Sequence, residues 1–203
     1  MEEENTKMSK DKFTLVNHAS VLIESGKSSI LSDPWYFGSA FNNGWKLLFE
    51  NDEKQILDIL SRTKYIWISH EHPDHFSVPF FFKYKNYMIE NDIRILFQKT
   101  KDGRVKSFLE KQGLKVIDLE NEKDLILDDY FKIKCVKSGF YDSALVIETS
   151  ENRILNLNDC PLRENKDLIK WSKKLGKFDV LLSQFSYAAW KGGKDNLEWR
   201  KSA

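Results

Sequence analysis

Short apolar runs open the chain and charged helical segments follow. Residues 13–16, 21–24 and 29–31 are compact, β-branched or aromatic runs of strand length, the last two parted by the turn Ser25-Gly26-Lys27. Residues 52–62 have a different period. Ile56, Leu57, Ile59 and Leu60 fall on one face of a helix, and Asn51 or Asp52 supplies its N-cap. A β-rich run at 65–69 ends directly on His70. The pattern then predicts a helix at 78–89, a strand at 93–97 and a helix at 105–112 stopped by Gly113. Strands follow at 115–119, 125–127, 131–136, 144–148 and 153–157, then a helix at 164–175 closed by Gly176 and a strand at 180–182. Hairpins first, then strands alternating with helices, imply an α/β (α+β) layered fold: a mixed sheet with helices packed outside.

Composition narrows this picture. With 203 residues and 41% hydrophobic content, the chain can bury one real core. There is no repeat or low-complexity linker, so residues 1–12 read as a solvated acidic tail and 13–203 as one domain. The net charge is +1, from 32 basic and 31 acidic residues intermixed along the chain, which argues against a nucleic-acid partner. Apolar runs fall short of the roughly 20 residues that span a bilayer. The N-terminus lacks the basic-then-apolar order of an export signal, and two cysteines, Cys135 and Cys160, are too few for a disulfide scaffold. The expectation is a reduced, cytoplasmic protein, with oligomerisation left open.

Chemistry concentrates in one place. The chain has four histidines, and three of them lie in His70-Glu71-His72-Pro73-Asp74-His75. In an extended segment His70 and His72, two apart, present their imidazoles to the same side. Pro73 bends the chain and turns Asp74 and His75 back toward that space. Imidazole nitrogen and carboxylate oxygen are ordinary ligands of zinc and iron. Four of them on one strand-end loop predict an open metal site.

The HxHxDH pattern after a β-strand resembles the metal loop of the metallo-β-lactamase superfamily. Asn17-His18-Ala19-Ser20-Val21-Leu22-Ile23-Glu24 and Ile30-Leu31-Ser32-Asp33-Pro34 resemble a particular branch, that of ascorbate-phosphate lactonases and of the phospholipase D acting on N-acylethanolamine lipids. Asp33-Pro34-Trp35, Gly38-Ser39-Ala40-Phe41 and Gly44-Trp45 are similar to segments of proteins related to CMP-sialic-acid hydroxylases. The resemblance spans about residues 13–190 and implies an αββα sandwich with metal at one edge. By the same resemblance His70 and His72 are ligands of a first metal, Asp74 and His75 of a second, and Asp159, at the end of a strand, bridges them. Asp33 braces the metal loop, although Asp33-Pro34 also fits a plain turn and Asp159 a capping residue before Pro161. His18 is structural in this reading, within hydrogen-bonding reach of the site.

The pattern also departs from the family. The stretch 136–143, where a further ligand histidine belongs, has none, and no histidine follows His75. Tyr141 or Asp142 is then a stand-in oxygen ligand, and the fold is expected to be incomplete at its C-terminal side. The expected function is metal-dependent hydrolysis of an ester, lactone or phosphodiester in a small-molecule substrate. A zinc-bound hydroxide is the nucleophile and Asp74 is the catalytic carboxylate, with one or two zinc ions, or iron or manganese in their place. Two alternatives stand beside it: a degenerate or truncated member that binds metal or a partner without turnover, and an iron-dependent oxidoreductase relative. Trp35, Tyr36, Trp45 and Trp190 either line a pocket or fill the core.

Overall fold

The computed structural model describes residues 10–162 and 164–184. Most of the expected tail, and Trp190, lie outside the described residues.

Two antiparallel hairpins start the fold, β1 (Lys12–Asn17) against β2 (Ser20–Ser25) and β2 against β3 (Ser28–Ser32). The β2–β3 turn needs Gly26: its φ is +56°, and a Cβ there would run into the Tyr130 ring. The chain then makes a two-residue hairpin, β4 (Ser39–Ala40) with β5 (Trp45–Lys46). Helix α1 (Glu53–Ser61) begins with a complete capping box between Asp52 and Gln55. From there β6 (Tyr65–Ile68), β7 (Arg94–Gln98) and β8 (Lys115–Leu119) add in parallel, joined by α2 (Val78–Glu90) and α3 (Arg104–Lys111). The result is a six-stranded sheet in the order β1-β2-β3-β6-β7-β8. A second sheet holds β9 (Asp124–Ile126), β10 (Lys132–Ser138), β11 (Asp142–Glu148), β12 (Arg153–Asn158) and β13 (Val180–Ser183), with α4 (Asn165–Leu175) crossing between the last two.

The period of two decides which layer each side chain joins. On β6, Tyr65 and Trp67 enter the core between the sheets, where they meet Phe131, Ile133, Leu145 and Ile147. Ile66 and Ile68 point the other way, into a second core with Ile56, Leu60, Phe80, Phe81 and Leu109 from α1, α2 and α3. On the far face of the second sheet, Val136, Val146 and Leu155 pack against Leu175 and Trp171 of α4. The layers therefore run helices, sheet, sheet, helix, the αββα order. Because β6 is buried on both faces, it reads as an unbroken apolar run. No helix among the described residues is long and apolar enough to cross a membrane.

The hairpin β4–β5 has no counterpart in the predicted elements. Two-residue strands carry no readable period, and of the four residues between them Phe41, Asn42 and Asn43 take positive φ.

Candidate metal centre

β3 and β6 are parallel neighbours, so their C-terminal ends meet at one edge of the sheet. Asp33 follows β3, and Ser69 with His70 follows β6. The Asp33 backbone N–H donates to the Trp67 carbonyl, 2.9 Å, which pins the two strand ends together. The loop from Ser69 then turns tightly, with His75 N–H donating to the His72 carbonyl at 3.0 Å. It runs into α2, whose N-cap is Ser77.

Asp33 is fully buried and organises this loop. Its Oδ1 accepts the Ser69 N–H at 2.7 Å, and its Oδ2 accepts the Ser69 hydroxyl at 2.8 Å. Oδ2 also lies 3.1 Å from His75 Nδ1 and accepts a hydrogen bond from Asn158 Nδ2. These contacts assign the imidazole tautomers. Ser69 has a single hydroxyl proton and gives it to Asp33, so its oxygen, 2.9 Å from His70 Nδ1, must accept. Nδ1 of His70 therefore carries hydrogen and Nε2 keeps its lone pair. His75 Nδ1 likewise donates to Asp33 and leaves Nε2 to face the site. One carboxylate thus aims two imidazoles, an arrangement common behind metal ligands.

The predicted residues converge. His70 and His72 lie with Nε2 and Nδ1 2.9 Å apart. His75 Nε2 is 3.4 Å from Asp74 Oδ2 and 3.4 Å from Asp159 Oδ2. Two ligand atoms bound at about 2.1 Å to one tetrahedral ion would be about 3.4 Å apart. Buried His75 Nε2 makes no hydrogen bond despite these neighbours, and Asp74 Oδ1 is also buried without a partner. Orphaned polar atoms of this kind are rare unless something else completes them. The donor set fits a metal ion: His70, His75 and Asp159 form one group with mutually close ligand atoms, and His18, Asp74 and His75 form another. His72 belongs to neither trio; its ring packs on His70, Tyr141 and Phe41.

Electrostatics follow from this crowding. Burial, then the neighbouring His75, lowers His70 to about 4. For His75 burial acts downward, but the carboxylates of Asp159, Asp33 and Asp74 gathered around the ring outweigh it, and the pKa is raised well above the ordinary imidazole value. Burial would raise Asp74, yet the contacts with His18 and His75 hold it far below the usual carboxylate range. Asp159 is likewise lowered, with His75 overriding its burial.

Sequence reasoning missed Asn158, which closes the carboxylate cage of Asp33, since only its place beside Asp159 marks it out. His18, expected within hydrogen-bonding reach, has Nε2 3.2 Å from Asp74 Oδ2. Asp142 Oδ1 lies 3.9 Å from His70 Nε2, and the Tyr141 ring centroid stands 4.7 Å from that of His72. Trp45 and Phe41 flank the site through His18 and His72. Trp35 is buried with its ring edge on His18, and Tyr36 is core, its hydroxyl 2.7 Å from Ser20 Oγ.

Solved structures share this architecture. A metallo-β-lactamase-fold protein, YhfI from Bacillus subtilis, superimposes over 84% of this chain and 65% of its own, at 16% identity and a TM-score of 0.58. The chain has the metallo-β-lactamase fold. CmlA, a diiron β-hydroxylase from Streptomyces venezuelae, matches over 85% of this metallo-β-lactamase-fold chain and 34% of its own, at 15% identity and a TM-score of 0.62. In sequence the chain is similar to cytidine monophosphate-N-acetylneuraminic acid hydroxylase of Danio rerio, 29% identical over 92% of this chain and 32% of that protein. It therefore spans about a third of the length of the curated relatives it matches. No protein-family model matches the chain.

Proposed function

We propose that this metallo-β-lactamase-fold chain is the metal-binding part of an iron-dependent hydroxylase acting on a small molecule. The observation that carries the reading is the donor set around His75 Nε2: two carboxylates and a second imidazole, all oxygen and nitrogen, with no thiolate. Imidazole and carboxylate donors of this kind suit iron and manganese besides zinc. The similarity to hydroxylases over nearly the whole chain favours iron. His70, His75, Asp74 and Asp159 would hold the metal, with His72 and Asp142 at its margin. Bound iron supplies dioxygen chemistry. The protein's part is to aim the ligands through Asp33, to hold Asp74 ionised, and to present the open face beside Phe41, Trp45 and Tyr141 to the substrate. Hydroxylation consumes dioxygen and two electrons, so an external electron donor is required.

Hydrolysis is the second reading, favoured by Asp74. Its buried Oδ1 is unpartnered and its carboxylate is kept ionised, so it can take a proton from an attacking water. Elemental analysis of protein purified without added metal separates the readings. Iron at one or two equivalents, with dioxygen uptake in the presence of a reductant, is expected. Zinc with turnover of an ester, lactone or phosphodiester would replace the first reading with the second. Absence of any tightly held metal would sink both and leave a member without turnover.

A further inference from the structure

The sequence lacks two histidines of the family pattern, and the structure shows an imidazole in an unexpected place. His18 sits in the β1–β2 turn, where the strand register shifts between Leu15 and Asn17 and φ of His18 is +38°. That turn carries the ring over the metal loop. Its Nε2 reaches 3.2 Å from Asp74 Oδ2, and its ring centroid lies 5.6 Å from that of His75. Trp35 and Trp45 hold the ring edge-on at 5.1 and 6.4 Å, so its orientation is set by packing.

We infer that His18 is itself a metal ligand, completing a site with Asp74 and His75 in place of an absent family histidine. This rests on the metal-binding reading above. Ligand atoms of His18, Asp74 and His75 lie within 4.8 Å of one another, close enough to share one ion. Two of the three partners offer buried polar atoms that nothing in the protein satisfies, Asp74 Oδ1 and His75 Nε2. A hydrogen bond from His18 to Asp74 leaves both orphans as they are, whereas an ion at their common point satisfies them together. His18 is partly exposed, which gives that ion an entry path. The other trio, His70, His75 and Asp159, competes for the one lone pair of His75 Nε2, so with His75 in the His18 site a second ion would rest on His70, Asp159 and the neighbouring His72, 2.9 Å from His70.

The competing role for His18 is to position Asp74 by hydrogen bonding, and one substitution separates the two. Glutamine in His18→Gln keeps an amide N–H for Asp74 but is a poor ligand for zinc or iron. Metal-free wild type, His18→Gln and His18→Ala would be titrated calorimetrically with zinc, with bound metal counted by elemental analysis after gel filtration. The absorption spectra of the cobalt-loaded forms would report coordination. The expectation is two equivalents in the wild type and one tightly held equivalent in both variants, the second weakened by at least about 100-fold, beyond the range usual for supporting partners. The cobalt spectrum should lose intensity to the same degree in both. His18→Gln binding two equivalents with wild-type affinity would overturn the ligand role, as would a wild type that binds one equivalent and is unaffected by either change. A wild type that takes up no metal would instead remove the metal-binding reading itself. Circular dichroism of the metal-free variants should match the wild type, since the side chain lies at a turn and outside the core clusters.

Discussion

The loop 69–76 and the turn 139–141 flank the same imidazoles and are built in opposite ways. Ser69, His70, Asp74 and His75 are buried, and the Ser69 carbonyl alone accepts bonds from Ser143 Oγ at 2.6 Å and Gln98 Nε2 at 3.4 Å. Asp33 holds the same loop from beneath. Across the site, Gly139 takes φ +60° to make the β10–β11 turn, Phe140 is 97% exposed, and Tyr141 lays its ring against His70 and His72 while its carbonyl accepts from Gln98 Nε2. This turn is also the stretch that lacks the family histidine. One wall of the centre is therefore fixed by several buried bonds before any ligand arrives, and the other is more lightly held, by the bond from Gln98 to the Tyr141 carbonyl. A metal site needs only one rigid wall if that wall sets the tautomers, and here Asp33 does so for His70 and His75.

The contrast is broken most severely at Asp33. Asp33→Ala should cost the metal-free protein about 3–5 kcal/mol in urea unfolding, because it leaves His75, Ser69 and Asn158 with unpaired buried groups. A loss below about 1 kcal/mol would mean that the loop is held by something else.

Acid and base should act on the rigid wall next. The folded pKa of His70, about 4, lies below the unfolded value, so the unfolded chain takes up a proton first and stability falls as pH drops from about 6.5 toward 4. His75 is raised, so its contribution is complete below about 6.5 and is lost as pH climbs through its folded value. The metal-free protein should thus be most stable near pH 6.5, measured as the urea midpoint from pH 4 to 9. His70→Gln should flatten the acid arm. A midpoint that rises steadily across the range would contradict the assignments.

A smaller effect is expected where the two walls are tied. Ser143→Ala removes the hydroxyl that donates to the Ser69 carbonyl, which keeps a long contact to Gln98. The cost should be about 1 kcal/mol, with weaker metal binding as the loop loosens. Smallest of all is Phe140→Ser, expected to change stability by less than about 0.5 kcal/mol because the side chain is in solvent. A larger loss would show that the turn is packed rather than free.

Much of this was legible in the sequence wherever local rules govern. The capping residue Asp52, the strand ending on His70, and the glycine stop at Gly113 all follow from nearest neighbours along the chain. The HxHxDH pattern locates the site because its donors are consecutive. What could not be read is pairing across distance. Nothing local says that β3 and β6 lie side by side, so the reach of Asp33 to Ser69 and His75 came only by resemblance, and that of Asn158 not at all. His18 was placed near the site without a role, since a turn residue's direction depends on the register shift that precedes it. The absent histidines were evident at once, but the geometry that answers their absence was not.

The bond from Asn158 to Asp33 joins residues 125 apart in sequence, and the one from Ser143 to Ser69 joins residues 74 apart. Neither can form until both sheets have assembled and docked, and closing such loops is the slow part of folding. The centre is accordingly absent from the early chain and complete only near the native state. An ion that binds there stabilises the finished fold in proportion to the logarithm of its free concentration. It should leave the folding rate nearly untouched and lengthen the lifetime of the folded protein, acting as a latch on a door already shut.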